Sequence, residues 1–170
     1  MTSEPKAPGA PAIYLYRQVD RKEAGRTTTE FNYVRIKILT EEGRKYANVE
    51  IPYSKAVTGI NGVRARTIHA DGSIVNFDGK IFENAIAKSK TQKYLAKTFT
   101  MTDVQVGSII EYRYTYDFED SRIFFSNWLV SEDLFTKKAV FFAQAVREIR
   151  PAMEHAGGAA EWYRTSQGLP

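Results

Sequence analysis

Hydrophobic and polar positions alternate over much of the chain, most clearly in Glu111–Phe118, which reads EYRYTYDF. Every second residue in this stretch is aromatic, and the residues between are polar. Because successive side chains of a strand point to opposite faces, the pattern predicts a strand with Tyr112, Tyr114 and Tyr116 on one face. A core-facing or cross-strand aromatic ladder is the favoured interpretation of this row, and a ligand platform is the alternative.

Further strands follow from the same pattern. A first strand begins at Ala12, a polar stretch over residues 21–30 resembles a loop, and Phe31–Thr40 alternates as a half-buried strand does. A three-residue hairpin loop is predicted at Glu41–Gly43, since glycine takes positive φ at low cost. Pro52, which lacks an N–H, belongs at the end or edge of the next strand.

Turns are predicted at Asn61–Gly62, Asp71–Gly72 and Asp78–Gly79. The Asp-Gly dipeptide suits the two positive φ values of a type I′ turn, so these residues predict a three-stranded meander. The less regular stretch over residues 84–101 is expected to contain a short helix.

Residues 131–149 fit two interpretations. Their apolar side chains recur every three or four residues after Ser131, a suitable helix cap, which is typical of a helix. The β-rich core of the stretch, Ala139–Val146, suits a buried strand equally well.

Composition places these elements in one domain. The chain has 170 residues with ten tyrosines and ten phenylalanines, which is enough for a core and favours sheet over helix. Residues 1–11 hold three of the six prolines and predict a disordered leader. The domain is expected over residues 12–147, and residues 148–170 are expected to be a loop or a severed connection.

Charge and residue content narrow the function. The net charge of +4 is spread along the chain apart from a lysine cluster over residues 88–97, and no reader motif accompanies that cluster, so no nucleic-acid partner is expected. Cysteine is absent, which excludes disulfides, thiolate metal sites and a cysteine nucleophile. No apolar run approaches the roughly 20 residues of a membrane span, and the first residues lack the apolar core of a signal peptide.

The sequence suggests no catalytic constellation. It contains no Gly-x-Ser-x-Gly and no glycine-rich phosphate loop, so no enzyme activity and no cofactor are expected. His69 and His155 lack metal-ligand spacing, and His69 is expected to be an exposed imidazole at a strand end. Asp117, Glu119 and Asp120 are interpreted as an acidic turn rather than a calcium site.

The aromatic residues are the remaining candidates for binding. Phe124, Phe125 and Trp128 form a second aromatic group beside the tyrosine row. Such groups can stack on sugar rings or on a partner's apolar patch, or they can fill a core, and the core is favoured. The candidate binding face is therefore Tyr112, Tyr114, Tyr116 and Trp128, with a protein or a glycan as its ligand.

Three stretches together resemble a known family. They are RIKILTEEG at Arg35–Gly43, ARTIHADG at Ala65–Gly72 and DVQVGSIIEYRY at Asp103–Tyr114. In this order they are similar to the bacterial domains of unknown function DUF3857, which stand N-terminal to a transglutaminase-like domain in large exported proteins. The resemblance extends over about residues 12–146.

The resemblance implies an all-β, antiparallel, sandwich-like accessory domain in a periplasmic or extracellular protein. The family's catalytic Cys, His and Asp belong to the downstream transglutaminase-like domain, and no position here matches them. Its following segment implies strands rather than a helix over residues 131–149. We therefore expect a non-catalytic module that supports a transglutaminase- or protease-like partner domain, the alternative being a carbohydrate- or peptide-binding module.

Overall fold

The computed structural model of the chain describes residues 3–24, 27–56, 58–88, 93–119, 128 and 133–146. These residues form nine strands and one 3₁₀ helix, Glu42–Ala47. The strands are β1 Ala12–Ala24, β2 Thr27–Ile38, β3 Asn48–Ser54, β4 Thr58–Ile68, β5 Ile74–Asn76, β6 Phe82–Lys88, β7 Lys93–Thr100, β8 Ile109–Glu119 and β9 Ala139–Val146.

The strands form two sheets. The large sheet has the order β5-β4-β8-β2-β1-β9, and the small sheet has the order β3-β7-β6. All pairings are antiparallel except that of β1 with β9, which is parallel. The all-β, antiparallel, sandwich-like class is confirmed, and β1 with β9 is the one parallel pairing among the described strands.

The core lies between the two sheets. In β2, Val34, Ile36 and Ile38 are buried while the residues between them are partly exposed, as the alternation predicts. In β3 the same period buries Val49 and Ile51. The most completely buried large side chains of this core come from both sheets: Ile38 and Ile110 from the large one, and Ile51 and Leu95 from the small one.

The predicted hairpin at Glu41–Gly43 is wrong. After β2 the chain enters the 3₁₀ helix and crosses to the other sheet, so that β3 pairs with β7. Gly43 does not have positive φ. It is required because a Cβ there would lie 2.0 Å from the carbonyl oxygen of Pro11. That oxygen accepts hydrogen bonds from the N–H groups of Leu39 and Thr40, at 2.9 and 3.1 Å.

The stretch predicted to be a disordered leader makes specific contacts where the structure describes it. Glu4 is 5% exposed, and its carboxylate lies 3.3 Å from Lys137 Nζ. The carbonyl oxygen of Pro11 accepts hydrogen bonds from Leu39 and Thr40, just after β2. These contacts hold the segment from Glu4 to Pro11 against the large sheet.

Two of the predicted turns have other roles. Asn61–Gly62 is a bulge within β4, where Gly62 has a φ of +63° and the register with β8 shifts. At Asp78–Gly79 the chain passes from β5 in the large sheet to β6 in the small one, so the predicted meander is wrong. Phe77, just before this crossing, packs on Phe99 of the small sheet, with ring centroids 5.1 Å apart.

The hairpin at Asp71–Gly72 is present and joins β4 to β5. Only Gly72 has positive φ, so the turn is not type I′. The Asp71 carboxylate instead accepts hydrogen bonds from the N–H and the hydroxyl of Ser73, at 2.9 and 2.7 Å.

Three other local predictions are decided by pairing. Residues 84–101 contain no helix where the structure describes them, because they form β6 and β7. Ala139–Val146 is a strand, which confirms the interpretation from the resemblance over the helical spacing. The polar stretch 21–30 lies largely in β1 and β2, which pair with each other there, and Arg21, at 6% exposure, makes ion pairs with Glu23 and Glu30.

The close approach at Gly43 makes a stability prediction. Gly43→Ala should lower the free energy of unfolding by about 1–3 kcal/mol, the usual cost of overpacking, because the added methyl group meets backbone that cannot rotate away. Urea denaturation of the purified chain measures this difference.

Gly59→Ala is the matched control. A Cβ at Gly59 has its nearest neighbour, the Asp117 carbonyl oxygen, at 3.9 Å. This variant should equal the wild type or exceed it by up to about 1 kcal/mol, since it restricts the unfolded chain. Equal stability of the two variants would contradict the close-approach account.

Candidate functional site

The tyrosine row of β8 lies between the two sheets. Tyr112, Tyr114 and Tyr116 are half-buried and pack against the hydrophobic core. Neighbouring rings are 6.4 Å apart between Tyr112 and Tyr114, and 5.1 Å apart between Tyr114 and Tyr116. Phe99 of the small sheet continues the row with an edge-to-face contact to Tyr112. The row is therefore an aromatic ladder that joins the sheets.

The hydroxyl groups of the row are used within the fold. Tyr116 Oη donates a hydrogen bond of 2.7 Å to the carbonyl oxygen of Pro52 in β3. Tyr114 Oη donates in turn to the Tyr116 hydroxyl. This short chain of hydrogen bonds ties the large sheet to the edge strand of the small sheet.

A groove of about 430 Å³ opens beside this chain. We call it the tyrosine groove; its lining includes Arg17, Glu50, Tyr112, Tyr114, Tyr116 and Trp128. The structure thus brings all four residues of the sequence-predicted binding face together around one depression. Its walls combine aromatic rings with a few polar groups, which is the composition of many ligand sites.

Arg17 positions Trp128 at the groove. Its guanidinium carbon lies 4.8 Å from the ring centroid of Tyr14 and 5.7 Å from that of Trp128. Trp128 also packs on Phe141 of β9, with centroids 5.8 Å apart. A cation between two aromatic faces is stabilised by both rings, so Arg17 links β1 to Trp128.

Burial governs the ionisation of the tyrosines. Burial, followed by the nearby charge and hydroxyl groups, raises the pKa of Tyr114 well above its usual value. Burial and the charge of Glu30 raise the pKa of Tyr116 to about 12, although its hydrogen bond with Tyr114 acts in the opposite direction. Both phenols are therefore neutral hydrogen-bonding groups at physiological pH.

The other sequence candidates lie elsewhere. His69, expected to be exposed, is instead largely buried, with 14% of its side chain accessible and Nε2 3.1 Å from an Asp103 carboxylate oxygen. Asp117 accepts a hydrogen bond from the Asn61 side chain. The described residues contain no group of three or more acids and histidines that could hold a metal ion. Phe124, Phe125, Asp120 and His155 lie outside the described residues.

No helix within the described ranges is long and apolar enough to cross a membrane.

Sequence reasoning missed Arg17 and Asn32, both of which line the tyrosine groove. Arg17 follows the bulge of β1 at Tyr14–Tyr16, which shifts the parity of the strand, so no simple alternation identifies it. Asn32 is 8% exposed, and Nδ2 donates to the Glu30 carbonyl oxygen at 3.2 Å; its place in the alternation of β2 was the available signal.

The raised tyrosine pKa values predict a loss of stability at alkaline pH. In the unfolded chain a phenol titrates near pH 10, and Tyr116 in the folded chain titrates near 12, so the neutral form is favoured by folding. The stabilisation is complete below about pH 10 and is lost as the pH rises through about 12. The pKa is also raised to about 12 in Tyr33, Tyr46 and Tyr53.

Denaturant midpoints measured across this window should fall steeply, and those of Tyr116→Phe should fall less steeply. A midpoint that does not change between about pH 9 and pH 12 would rule out neutral buried phenols.

Comparisons with known proteins define the family. No curated protein matches the chain. The crystal structure of a candidate protease from Parabacteroides distasonis ATCC 8503 has a similar fold, with a TM-score of 0.56 at 16% identity. The match covers 65% of this chain and only 23% of that protein. The family DUF3857, a domain of unknown function with a solved structure, matches residues 24–154. The chain therefore belongs to the DUF3857 family.

Proposed function

We propose that the chain is a non-catalytic accessory domain that packs against a transglutaminase- or protease-like domain of a larger exported protein, in the periplasm or outside the cell. The observation that carries the proposal is the apolar edge strand β9. Two considerations support the choice of partner. The resemblance implies such a domain downstream, and the similar fold in the candidate protease occupies only 23% of that protein.

The β9 strand has the features of an interface. Among the described strands it has a neighbour on one side only, β1. Phe141 and Phe142, whose side chains point to opposite faces, are 38% and 58% exposed. An exposed apolar edge strand is a template for association, and soluble proteins usually cover or charge such an edge. A domain that covers β9 would bury both rings.

The position of β9 favours a partner joined in the same chain. It is the last described strand, and it ends at Val146 on this edge of the large sheet. A short flexible connection gives an effective concentration of about millimolar, so even a weak contact is populated when the domains are linked. The accessory role therefore requires only modest intrinsic affinity.

Binding in trans tests the proposal. The purified chain is titrated with the separately purified transglutaminase-like domain of the same parent protein, and heat is measured up to about 1 mM, the effective concentration of a short linker. We expect saturable binding that Phe142→Ser weakens by about tenfold or more, because a central aromatic contact contributes strongly.

Phe82→Ser is the matched control, since Phe82 is also 58% exposed but lies on β6 in the small sheet. It should leave the affinity unchanged. The absence of binding at the highest concentration, or an equal loss in both variants, would exclude β9 as the docking edge.

A second candidate function is binding of a carbohydrate or a peptide in the tyrosine groove. Trp128, which lines the groove and lies against Arg17, is the observation that favours it. The half-burial of the tyrosines and the use of their hydroxyls within the fold leave Trp128 as the main stacking surface. This function is compatible with an accessory role, because the groove could then hold substrate for the partner domain.

Tryptophan fluorescence tests this candidate. The chain has two tryptophans, so Trp162→Phe leaves Trp128 as the reporter. Titration with a neutral hexasaccharide and with an uncharged hexapeptide should shift the emission to shorter wavelength if either ligand covers the ring. Unchanged emission up to about 10 mM of both ligands, a range in which even weak binding is seen, would remove the candidate.

A further inference from the structure

We propose that the outer face of the large sheet holds a binding site for a small ligand with an oxyanion, a carboxylate or a phosphate, in which Arg64 and Arg113 are the binding groups. This site lies on the face of the sheet opposite the tyrosine row, and it goes beyond the accessory function. Four observations support it: an array of charged side chains on three strands, a carboxylate that is already paired with arginines, a pair of like charges, and a concave surface.

The grid spans three neighbouring strands, β2, β8 and β4. Their registers place six polar side chains in two rows, which we call the arginine face. The first row is Arg35, Glu111 and Arg66, and the second is Tyr33, Arg113 and Arg64. The grid therefore contains four guanidinium groups and only one carboxylate.

In the first row the carboxylate of Glu111 is engaged by its neighbours. The Glu111 side chain is 10% exposed, and Arg66 donates to its Oε1 at 2.8 and 3.1 Å. Arg35 Nε lies 3.4 Å from Oε2. The Tyr33 hydroxyl also hydrogen-bonds Glu111, and burial together with this bond raises the pKa of Tyr33 to about 12. The carboxylate is thus engaged on several sides and is not available to the second row.

The second row is unbalanced. Arg64 and Arg113 are directly opposite each other on β4 and β8, and both are exposed. Within the described part of the chain, neither makes a hydrogen bond or an ion pair. Like charges directly opposite each other destabilise a sheet. An oxyanion between the two groups would replace this repulsion by two charge-assisted contacts.

The β4 bulge creates this pair. Asn61 is opposite Thr115, so regular alternation would place Val63 opposite Arg113. The extra residue at Gly62 instead turns Val63 toward the core, where it packs, and brings Arg64 opposite Arg113. Bulges commonly re-aim side chains in this way beside functional sites.

The surface at the pair is concave. The lining of a depression of about 340 Å³ includes Arg64, Arg66, Arg113, Tyr33, Asn76 and the engaged carboxylate of Glu111. The Asn76 amide adds a hydrogen-bonding group next to the guanidinium groups. The size fits a small ligand, and planar guanidinium groups match the geometry of carboxylate and phosphate.

Chemical-shift titration of the full 170-residue chain tests the site. The probes are inorganic phosphate and N-acetylglutamate, each at constant ionic strength maintained with sodium chloride. We expect saturable shifts at the amide and guanidinium groups of Arg64 and Arg113, with a Kd of about 1 mM or tighter for at least one probe. The probe that binds more tightly distinguishes a phosphate ligand from a carboxylate ligand.

Three variants complete the test. Arg64→Gln and Arg113→Gln should raise the Kd by about tenfold or more. Without ligand, Arg113→Gln should melt at or above the wild-type temperature, because it removes the repulsion, so lost binding cannot be attributed to unfolding. Arg44→Gln, whose side chain is 52% exposed and paired with Glu41, should leave the Kd unchanged.

Shifts that do not saturate with either probe up to about 20 mM would overturn the proposal. So would an equal loss of affinity in Arg44→Gln, which would indicate only the general charge of the surface.

Discussion

The alternation of side chains along β8 is the constraint on which the rest of the structure depends. β8 is paired on both sides within the large sheet, with β4 and β2. One face carries Ile110, which is fully buried, and the tyrosine row, and the other carries Glu111 and Arg113. A shift of one residue in the register would expose the aromatic row and bury the charged groups, so both neighbouring strands must keep this register.

Two glycines adapt the backbone to this constraint. Gly62 makes the bulge in β4, and because of this bulge Val63 packs on the core while Arg64 lies on the arginine face. Gly43 allows the 3₁₀ helix to approach Pro11, so that the chain can cross to the small sheet and supply Val49 and Ile51 to the core. Both positions look like turns in the sequence, because the same conformational freedom serves turns, bulges and close approaches.

The sequence predicts the faces of strands better than their partners. The strands containing Val34–Ile38, Val49–Ile51 and Tyr112–Tyr116 follow from period-two alternation, and the edge position of Pro52 follows from its missing N–H. The crossings between sheets and the parallel pairing of β9 do not follow from alternation. Alternation indicates which face of a strand is buried, but it contains no information on the neighbouring strand.

The candidate site shows the same limit. The tyrosine row and Trp128 are visible from the sequence as aromatic groups, but their meeting at one groove depends on β1 and on the packing of Arg17. Arg64 is missed as the neighbour of Arg113 because the bulge changes the parity between Asn61 and Arg64, so that a local count places Arg64 on the wrong face. An extra residue in a strand is therefore the main obstacle to reading this surface from the sequence.

Nitration of the tyrosines in the folded chain, mapped by mass spectrometry, tests the division of β8 into two faces most directly. The account predicts that Tyr112, Tyr114 and Tyr116 react slowly while Tyr94, which is 43% exposed, reacts quickly, and that the difference disappears in denaturant. Equal rates for all four tyrosines in the folded chain would contradict it, because the row would then lie on the surface and could not join the two sheets.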